Sequence, residues 1–427
     1  MEGYLIIVFF LILLVIGVPV AFALGLAVVF HILVSGDISM LVVAQRISST
    51  LDSFPLVAVP LFLMAGILMN EVGFTYRIFT VANVIIGRIS GGLGHVNVLA
   101  SMIFAGMSGS AIADAGGLGT VEIKAMNDAG YRKDFSAAIT SASAIIGPII
   151  PPSIIMVIYG VIAEVSIARL FIGGVIPGLM MGLSLMAVIY YRSKTGKEIC
   201  PKPRKFSYPE KIGAIKEGIF PLLAPVIIIG GIVSGIFTPT EASAVAVLYT
   251  IVLGLFYRTL TFSKLVFAFK QTLIIMASVL FIVAAAGLFS WIIAIDQIPQ
   301  KIVDFMVTKL PNKIVMLLFL NGVLIIMGMF LSGLASLIII APVLIPLADQ
   351  LQLDLVHLGI FVIINGEIGL NTPPVGGALF TLVKVANISI EDLVKALIPF
   401  YFPLVVVLLL VTYFPDLVLF LPNLILK

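Results

Sequence analysis

Gly147-Pro148-Ile149-Ile150-Pro151-Pro152 and Gly369-Leu370-Asn371-Thr372-Pro373-Pro374 share one signature, Gly-x-x-x-Pro-Pro, and stand 222 residues apart in strongly apolar sequence. Proline has no N–H to donate and its ring clashes with the preceding turn, so each stretch should interrupt a helix. A bilayer offers no water to the freed backbone groups, and each unpaired group there costs several kcal/mol. Such breaks survive only where protein, ligand or ion takes up the polar atoms. A matching pair of them points to the binding site of a secondary transporter.

The composition agrees with a membrane setting. The 427 residues are 61% hydrophobic and 11% charged, against about 25% charged in soluble domains. At roughly 20 residues per span, the apolar runs supply about ten to twelve crossings or partial crossings. The fold class expected is an all-α polytopic membrane protein. A net charge of +3 gives no reason to expect a nucleic-acid partner, and the single Cys200 excludes an internal disulfide framework or a cysteine metal cluster. Met1-Glu2-Gly3-Tyr4 lacks a positive n-region and its apolar run continues past Leu33, so it reads as a first membrane helix.

One polar segment, residues 192–218, carries eight Lys or Arg against three Glu. By the positive-inside rule it is a cytoplasmic linker, and its charge would also suit anionic membrane lipid. The halves on either side, 1–191 and 219–427, echo each other. Gly17-Val18-Pro19-Val20-Ala21 pairs with Thr238-Pro239-Thr240-Glu241-Ala242. Leu61-Phe62 and Ala65 pair with Leu280-Phe281 and Ala284, and Ser108-Gly109 pairs with Ser332-Gly333. Anchors in one order at nearly constant offset indicate an internal repeat. If each half crosses an odd number of times, the repeats are inverted and both termini face the periplasm. Phe74 to Arg88 and Gln297 to Leu310 read as helices lying in the interface, or else as short tilted spans.

Between Gly106 and Gly119 five glycines, Ser108, Ser110 and Asp114 follow an apolar run. Glycine permits close backbone approach, so residues 106–119 read as the tip of a re-entrant hairpin that offers oxygens to a hard cation. Residues 328–336, with Ser332 and Gly333, are the second tip; Pro342 and Pro346 make the helix after it look irregular. Gly147 and Gly369 occupy natural C-cap positions, which would leave the carbonyls of residues 147–150 and 369–372 without intrahelical partners. Ser153, Asn371 and Thr372 add side-chain oxygens. Glu241 reads as a helix cap in Thr-Pro-Thr-Glu, while Glu367 is left open. Gly106-Met107-Ser108-Gly109 also matches the Gly-x-Ser-Gly of intramembrane serine proteases, with His357 as the formal base; that reading ignores the repeat.

The chain resembles the large membrane subunit, of the dicarboxylate-permease M type, of tripartite ATP-independent periplasmic (TRAP) transporters. The resemblance covers essentially the whole chain. It is most specific at Met126-Asn127-Asp128-Ala129-Gly130-Tyr131, at Gly147 through Ser153 with Tyr159-Gly160, and at Gly235-Ile236-Phe237-Thr238-Pro239-Thr240-Glu241-Ala242. It implies an elevator-type Na+ symporter, in which a transport domain of two hairpins and two broken helices slides against a scaffold. The partners implied are a small four-helix membrane subunit and a periplasmic substrate-binding protein, in the bacterial inner membrane. The substrate implied is an organic anion, a C4-dicarboxylate or a sialic acid. The family's first Na+ site maps to Ser108, Ser110, Gly147, Ile150 and Pro152, with Asp114 at a further ion. By repeat symmetry a second site would use Ser332 or Gly333 with Gly369, Thr372 and Pro374; Leu334 stands where the first tip has Ser110. Ser153 and Asn371 are the substrate candidates. A stand-alone sodium/anion carrier with the same repeats is the alternative, and a purely structural membrane scaffold would not need duplicated breaks.

Overall fold

The computed structural model describes residues 2–36, 38–109, 111–201 and 206–426, and every regular element among them is helical. Among the described residues, eight helices are long and apolar enough to cross a membrane. The two halves carry their helices in the same order. Val20–Ser35 is answered by Pro239–Phe256, Phe74–Ile86 by Ile298–Lys309, and Gly92–Ser108 by Lys313–Phe330. Lys133–Ala144 is answered by Leu355–Leu370, and Ile154–Ile162 by Gly377–Ala386; the starts differ by 219 to 224 residues. One element departs from the pattern. The second half has a single helix, Phe262–Ile295, where the first has Met40–Leu51 and Ala58–Glu71 joined through a short 3-10 turn, Phe54–Val57. Pro55 in that turn accounts for the interruption, because a proline fits where a new helix begins and not inside one.

The basic segment between the halves is only partly linker. Ile167–Lys194 runs through Arg192 and Lys194, which sit in its last turn, where positive charge complements the helix dipole. Tyr208–Val233 then opens with a capping box, Ser207 and Glu210 each bonding the other's backbone N–H. The described helices thus stop at Lys194 and resume at Tyr208. Lys202, Pro203, Arg204 and Lys205 lie outside the described residues.

Val20–Ser35, Ala58–Glu71, Pro239–Phe256 and Phe262–Ile295 pack on one another as a frame. Inside it sit two hairpins and two interrupted helices. The hairpins are Gly92–Ser108 with Ala111–Gly116 and Leu118–Asp128, and Lys313–Phe330 with Gly333–Leu351. Each hairpin packs on the second piece of the other half's interrupted helix. Ala111–Gly116 lies on Gly377–Ala386, and Gly333–Leu351 lies on Ile154–Ile162. The exchange is reciprocal, as a two-fold relation between the halves requires.

Gly333–Leu351 stays helical through Pro342 and Pro346, against the irregularity expected there. It is clamped between Ile298–Lys309 and Leu355–Leu370, and neighbouring helices can re-satisfy groups a proline frees. Small residues set the closest approaches. A Cβ placed on Gly369 would stand 2.6 Å from Gly328 Cα and 2.6 Å from the Ile325 carbonyl oxygen. Lipid gives helices no hydrophobic drive to associate, so close packing through small residues carries more of the association. Gly369→Ala is accordingly expected to destabilise by about 1–3 kcal/mol, the usual cost of overpacking. Gly322→Ala, where nothing lies within 4 Å, should be neutral or slightly stabilising. Thermal unfolding of the two variants in detergent checks the contrast.

Candidate functional site

The first hairpin turns at Gly109, in the left-handed region with φ +60°, and resumes as helix at Ala111. The turn is thus narrower than residues 106–119, because Gly116 and Gly119 are carried in helices, with Gly117 at the joint between them. Ser110 and the Ser108 side chain lie outside the described residues; the Ser108 backbone closes Gly92–Ser108. Gly109 rests on the first break, where a Cβ would meet the Pro152 carbonyl oxygen and the Ile154 nitrogen at 3.0 Å. The Asp114 carboxylate lies so close to Gly147 that no Cβ fits between them.

At the first break, Lys133–Ala144 stops three residues before Gly147. Turns follow, with Gly147 N–H donating to Ala144 O and Ile149 N–H to Ile146 O, both at 3.0 Å. A cis Pro151–Pro152 peptide comes next, and Ser153 caps Ile154–Ile162 by accepting from Met156 N–H at 3.3 Å. At the second, Leu355–Leu370 runs one residue past Gly369 and ends at Asn371; the Pro373–Pro374 peptide is cis as well. Neither Gly147 nor Gly369 takes the left-handed backbone of a C-cap. Their lack of a side chain is used instead for contact, with Asp114 and with Gly328. Nor are all the expected carbonyls free. Gly369 O accepts from Thr372 N–H at 2.8 Å and Asn371 O from the Tyr401 hydroxyl at 2.6 Å, because the chain turns tightly beneath a tyrosine. The Thr372 hydroxyl donates to Ile368 O. Ile150 packs its side chain on Gly178. Pro152 is buried and Pro374 exposed, so the two copies differ in enclosure.

The second tip is tighter still. Lys313–Phe330 ends, and Ser332 caps Gly333–Leu351 by accepting from Ala335 N–H at 3.3 Å. Gly333 lies against Glu367 Oε1, and Gly376 N–H donates to Met329 O at 3.0 Å, tying break to hairpin. Between the two tips and the frame helix Phe262–Ile295 opens a cavity of about 370 Å³, lined by Gly109, Pro148, Ser278, Ser332, Gly333 and Glu367 among others. Its size falls within the range of small-molecule sites, about 300–1,000 Å³. No lysine or arginine is among its described lining residues. Ser153 and Asn371 do not line it. Both are fully buried; the Asn371 side-chain carbonyl accepts from the Ser141 hydroxyl, linking the two breaks.

Sequence reading missed two features here. The first is a duplicated latch. Ser143 donates to Asn97 Oδ1 at 2.8 Å, and Asn365 Nδ2 donates to Asn321 Oδ1 at 2.8 Å. In each half an asparagine on the entering hairpin helix meets a polar side chain four residues before the break glycine. The signal available was the stripe Ser136, Thr140 and Ser143, spaced as one helical face. The second is Glu122, 0% exposed, which accepts from Ser101 at 3.5 Å. Asp114 stands within electrostatic reach of both Glu122 and Glu367.

Two other candidates take structural roles. Thr238 and Glu241 form a capping box at the start of Pro239–Phe256, as expected. His357 Nε2 lies 2.8 Å from Val411 O; a carbonyl only accepts, so that nitrogen carries the proton. Its helix places it about 18 Å from Gly369 at 1.5 Å per residue. Its ring is therefore held against the helix Ile390–Tyr413, away from the second break.

Asn97→Ala and Asn321→Ala are each expected to cost about 0.6–2 kcal/mol, as interhelical hydrogen bonds in membrane proteins do. The double variants Asn97→Ala/Ser143→Ala and Asn321→Ala/Asn365→Ala should cost less than the sum of the singles. Double-mutant cycles on thermal unfolding measure the coupling, and additive losses would refute the latch.

The family model of the tripartite ATP-independent periplasmic transporter, DctM component, matches residues 7–417. The chain is 44% identical to the sialic acid TRAP transporter large permease protein SiaM of Vibrio cholerae, over 96% of this chain and 95% of that protein. It is 39% identical to the C4-dicarboxylate TRAP transporter large permease protein DctM of Pseudomonas aeruginosa, over 94% of each. The solved Alcanivorax borkumensis YdaH transporter shares the fold at a TM-score of 0.63 and 13% identity, covering 97% of this chain and 98% of that one. The chain belongs to the DctM component family of the tripartite ATP-independent periplasmic transporters.

Proposed function

We propose that this chain is the large membrane subunit of a sodium-coupled importer of an organic anion. A periplasmic binding protein delivers the substrate and a small four-helix membrane subunit completes the complex in the bacterial inner membrane. The observation that carries the reading is the cavity between two hairpin tips, two helix breaks and the frame. Relatives are named for sialic acid, C4-dicarboxylate, isethionate and 2,3-diketo-L-gulonate transport, and each of these substrates is an organic anion. The repeats 1–191 and 219–427 would be inverted about the linker, which faces the cytoplasm.

The hairpins and interrupted helices form the moving unit, and the frame is the scaffold against which it slides. Such a unit must carry its ions and substrate enclosed. Gly109 seated on Pro152 and Ile154, and Glu367 seated on Gly333, close both seams without bulky side chains. The first sodium ion would sit among Ser108, Ser110, Gly147, Ile150 and Pro152, with Asp114 beside Gly147. The second would sit at Ser332 or Gly333 with Thr372, Pro374 and Gly369. The Gly369 carbonyl already accepts one bond, so the second site leans on other oxygens. Anion recognition falls to hydroxyls and backbone N–H groups at the tips, helped by bound cations.

One charge crossing 100 mV is worth about 2.3 kcal/mol. Two or more sodium ions per anion would therefore drive uptake, provided ion and substrate favour the same loaded state. Reconstituted complex supplied with binding protein should accumulate the anion only under an inward sodium gradient. Robust uptake of free substrate by this chain alone would instead favour a stand-alone carrier. Ser108→Ala should raise the sodium concentration for half-maximal transport, and an unchanged sodium dependence would count against that site.

A further inference from the structure

Glu122 stands in Leu118–Asp128, the outgoing arm of the first hairpin, and is 0% exposed. The sodium-coupled reading gives it no part. Its Oε2 has no hydrogen-bond partner among the described residues, and Ser101 is the one described side chain that bonds its Oε1. No described ion pair includes it. Of the described elements packed on its helix, Ala111–Gly116 brings the one charged group within electrostatic reach, Asp114. The other titratable neighbours are engaged elsewhere or exposed. Arg77 donates to the Val72 and Gly73 carbonyls, His95 bonds the Ser90 carbonyl, and Asp134 pairs with Arg132. Lys133 and Lys384 are exposed, as are Lys124 and Asp128 on its own helix.

The side chains beside Glu122 have a fixed number of hydrogens to give. Asn97, Ser101, Thr140 and Ser143 are all buried. Asn97 Nδ2 donates to Thr140 Oγ1 at 2.7 Å and faces the Met126 sulfur at 3.8 Å, which orients the amide and leaves Oδ1 toward Ser143. An amide oxygen only accepts, so the Ser143 hydrogen lies in the 2.8 Å bond to Asn97 Oδ1. Ser101 Oγ and Ser143 Oγ are 3.0 Å apart, and two hydroxyl oxygens that close need a hydrogen between them. Ser143 has none left, so Ser101 supplies it and is spent in turn. The contact between Ser101 and Glu122 is then a hydrogen bond only if Glu122 brings the hydrogen. The opposite direction, Ser101 donating to an ionised Glu122, strips the hydrogen from the Ser101–Ser143 contact.

A buried carboxylate without a donor must be neutralised by a basic partner, a cation or a proton. A hard cation asks for a shell of oxygens, and the described side chains offer Glu122 a single hydroxyl. A proton asks for one acceptor, which Ser101 Oγ is. We propose that Glu122 is a proton-binding site in the first hairpin, filled at neutral pH, and that its proton starts the row from Glu122 through Ser101 and Ser143 to Asn97. The hairpin then carries no second charge beside Asp114, and its latch is complete. The second half needs no such proton, because its row ends where the Thr412 hydroxyl donates to the Leu408 carbonyl at 2.8 Å.

Infrared difference spectra, wild type minus Glu122→Gln, test this on the purified full chain in nanodiscs, in choline chloride without sodium. A protonated carboxyl has a C=O stretch that a carboxylate lacks. At neutral pH wild type should show one such band that Glu122→Gln loses. The variant should match the wild-type melting temperature there, because its amide N–H can donate to Ser101 as the acid does. Raising the pH should remove the band from wild type and lower its melting temperature over the same range, since an ionised Glu122 costs the row a hydrogen. Glu122→Gln should not share that fall. In Ser143→Ala the Ser101 hydrogen is free to turn to Glu122, so the band should vanish about 1–2 pH units lower, the worth of one hydrogen bond to a charged group. No difference band at neutral pH overturns the proposal; Glu122 is then ionised, as a flipped Asn97 amide would allow. An unshifted midpoint in Ser143→Ala overturns it too, because the proton would then owe nothing to the row. Should Glu122→Gln fail to fold, the band is followed in wild type and Ser143→Ala alone, and equal midpoints sink the proposal.

Discussion

Polar backbone exposed by a helix break in a membrane must be covered by protein, ion or ligand, and much of this structure is the means of covering it. The double-proline stretches cannot be helical, so each half needs a second element to close over its break. That element is a hairpin, and the approach must be close. Gly109, Gly147, Gly333 and Gly369 are all at seams where another atom fills the space of a Cβ. Glycine at these positions is a packing requirement before it is a conformational one; only Gly109 among the four has positive φ.

Closing a break with a hairpin creates a second problem, since two polar surfaces are now buried together. The Asn97–Ser143 and Asn321–Asn365 pairs answer it in the same place in each half. They fix the hairpin's register against the helix one turn before the break. The first half extends its latch through Thr140 and Ser101 toward Glu122, whereas the second reaches Thr412 on Ile390–Tyr413. The hydrogen-bonded frame of the site is therefore duplicated, and its charges are not.

What the sequence made legible follows from how far each signal reaches. Proline acts through covalent structure at its own position, so both breaks could be read directly. The repeat followed from offsets among several such local marks, and the helix order bears the same offsets. Glycine and serine enrichment located the tips but overstated the first one, because glycine tolerates helix as well as turn. Proline overstated too: Pro342 and Pro346 are absorbed into a helix packed on two sides. The latches were hidden, since Asn97 and Ser143 are 46 residues apart and Asn321 and Asn365 are 44 apart. No local spacing pairs them. Ser153 and Asn371 illustrate a related limit of local signals: an oxygen near a break can be engaged by the break itself.

The uneven placement of charge has a consequence for order of events. Asp114, Glu122 and Glu367 are all buried, and Asp114 feels both of the others. An anionic substrate brought among them adds like charge in a medium that screens poorly. Binding in that order is opposed by electrostatics whatever the shape of the cavity. In the proposed transport cycle, cations would reverse the sign and supply contacts for oxygens that the breaks and tips leave over. On the proposed sodium-coupled reading, the coupling of ion to substrate would need no separate device, because an ion seated among these buried acidic groups would make their surroundings receptive to an anion.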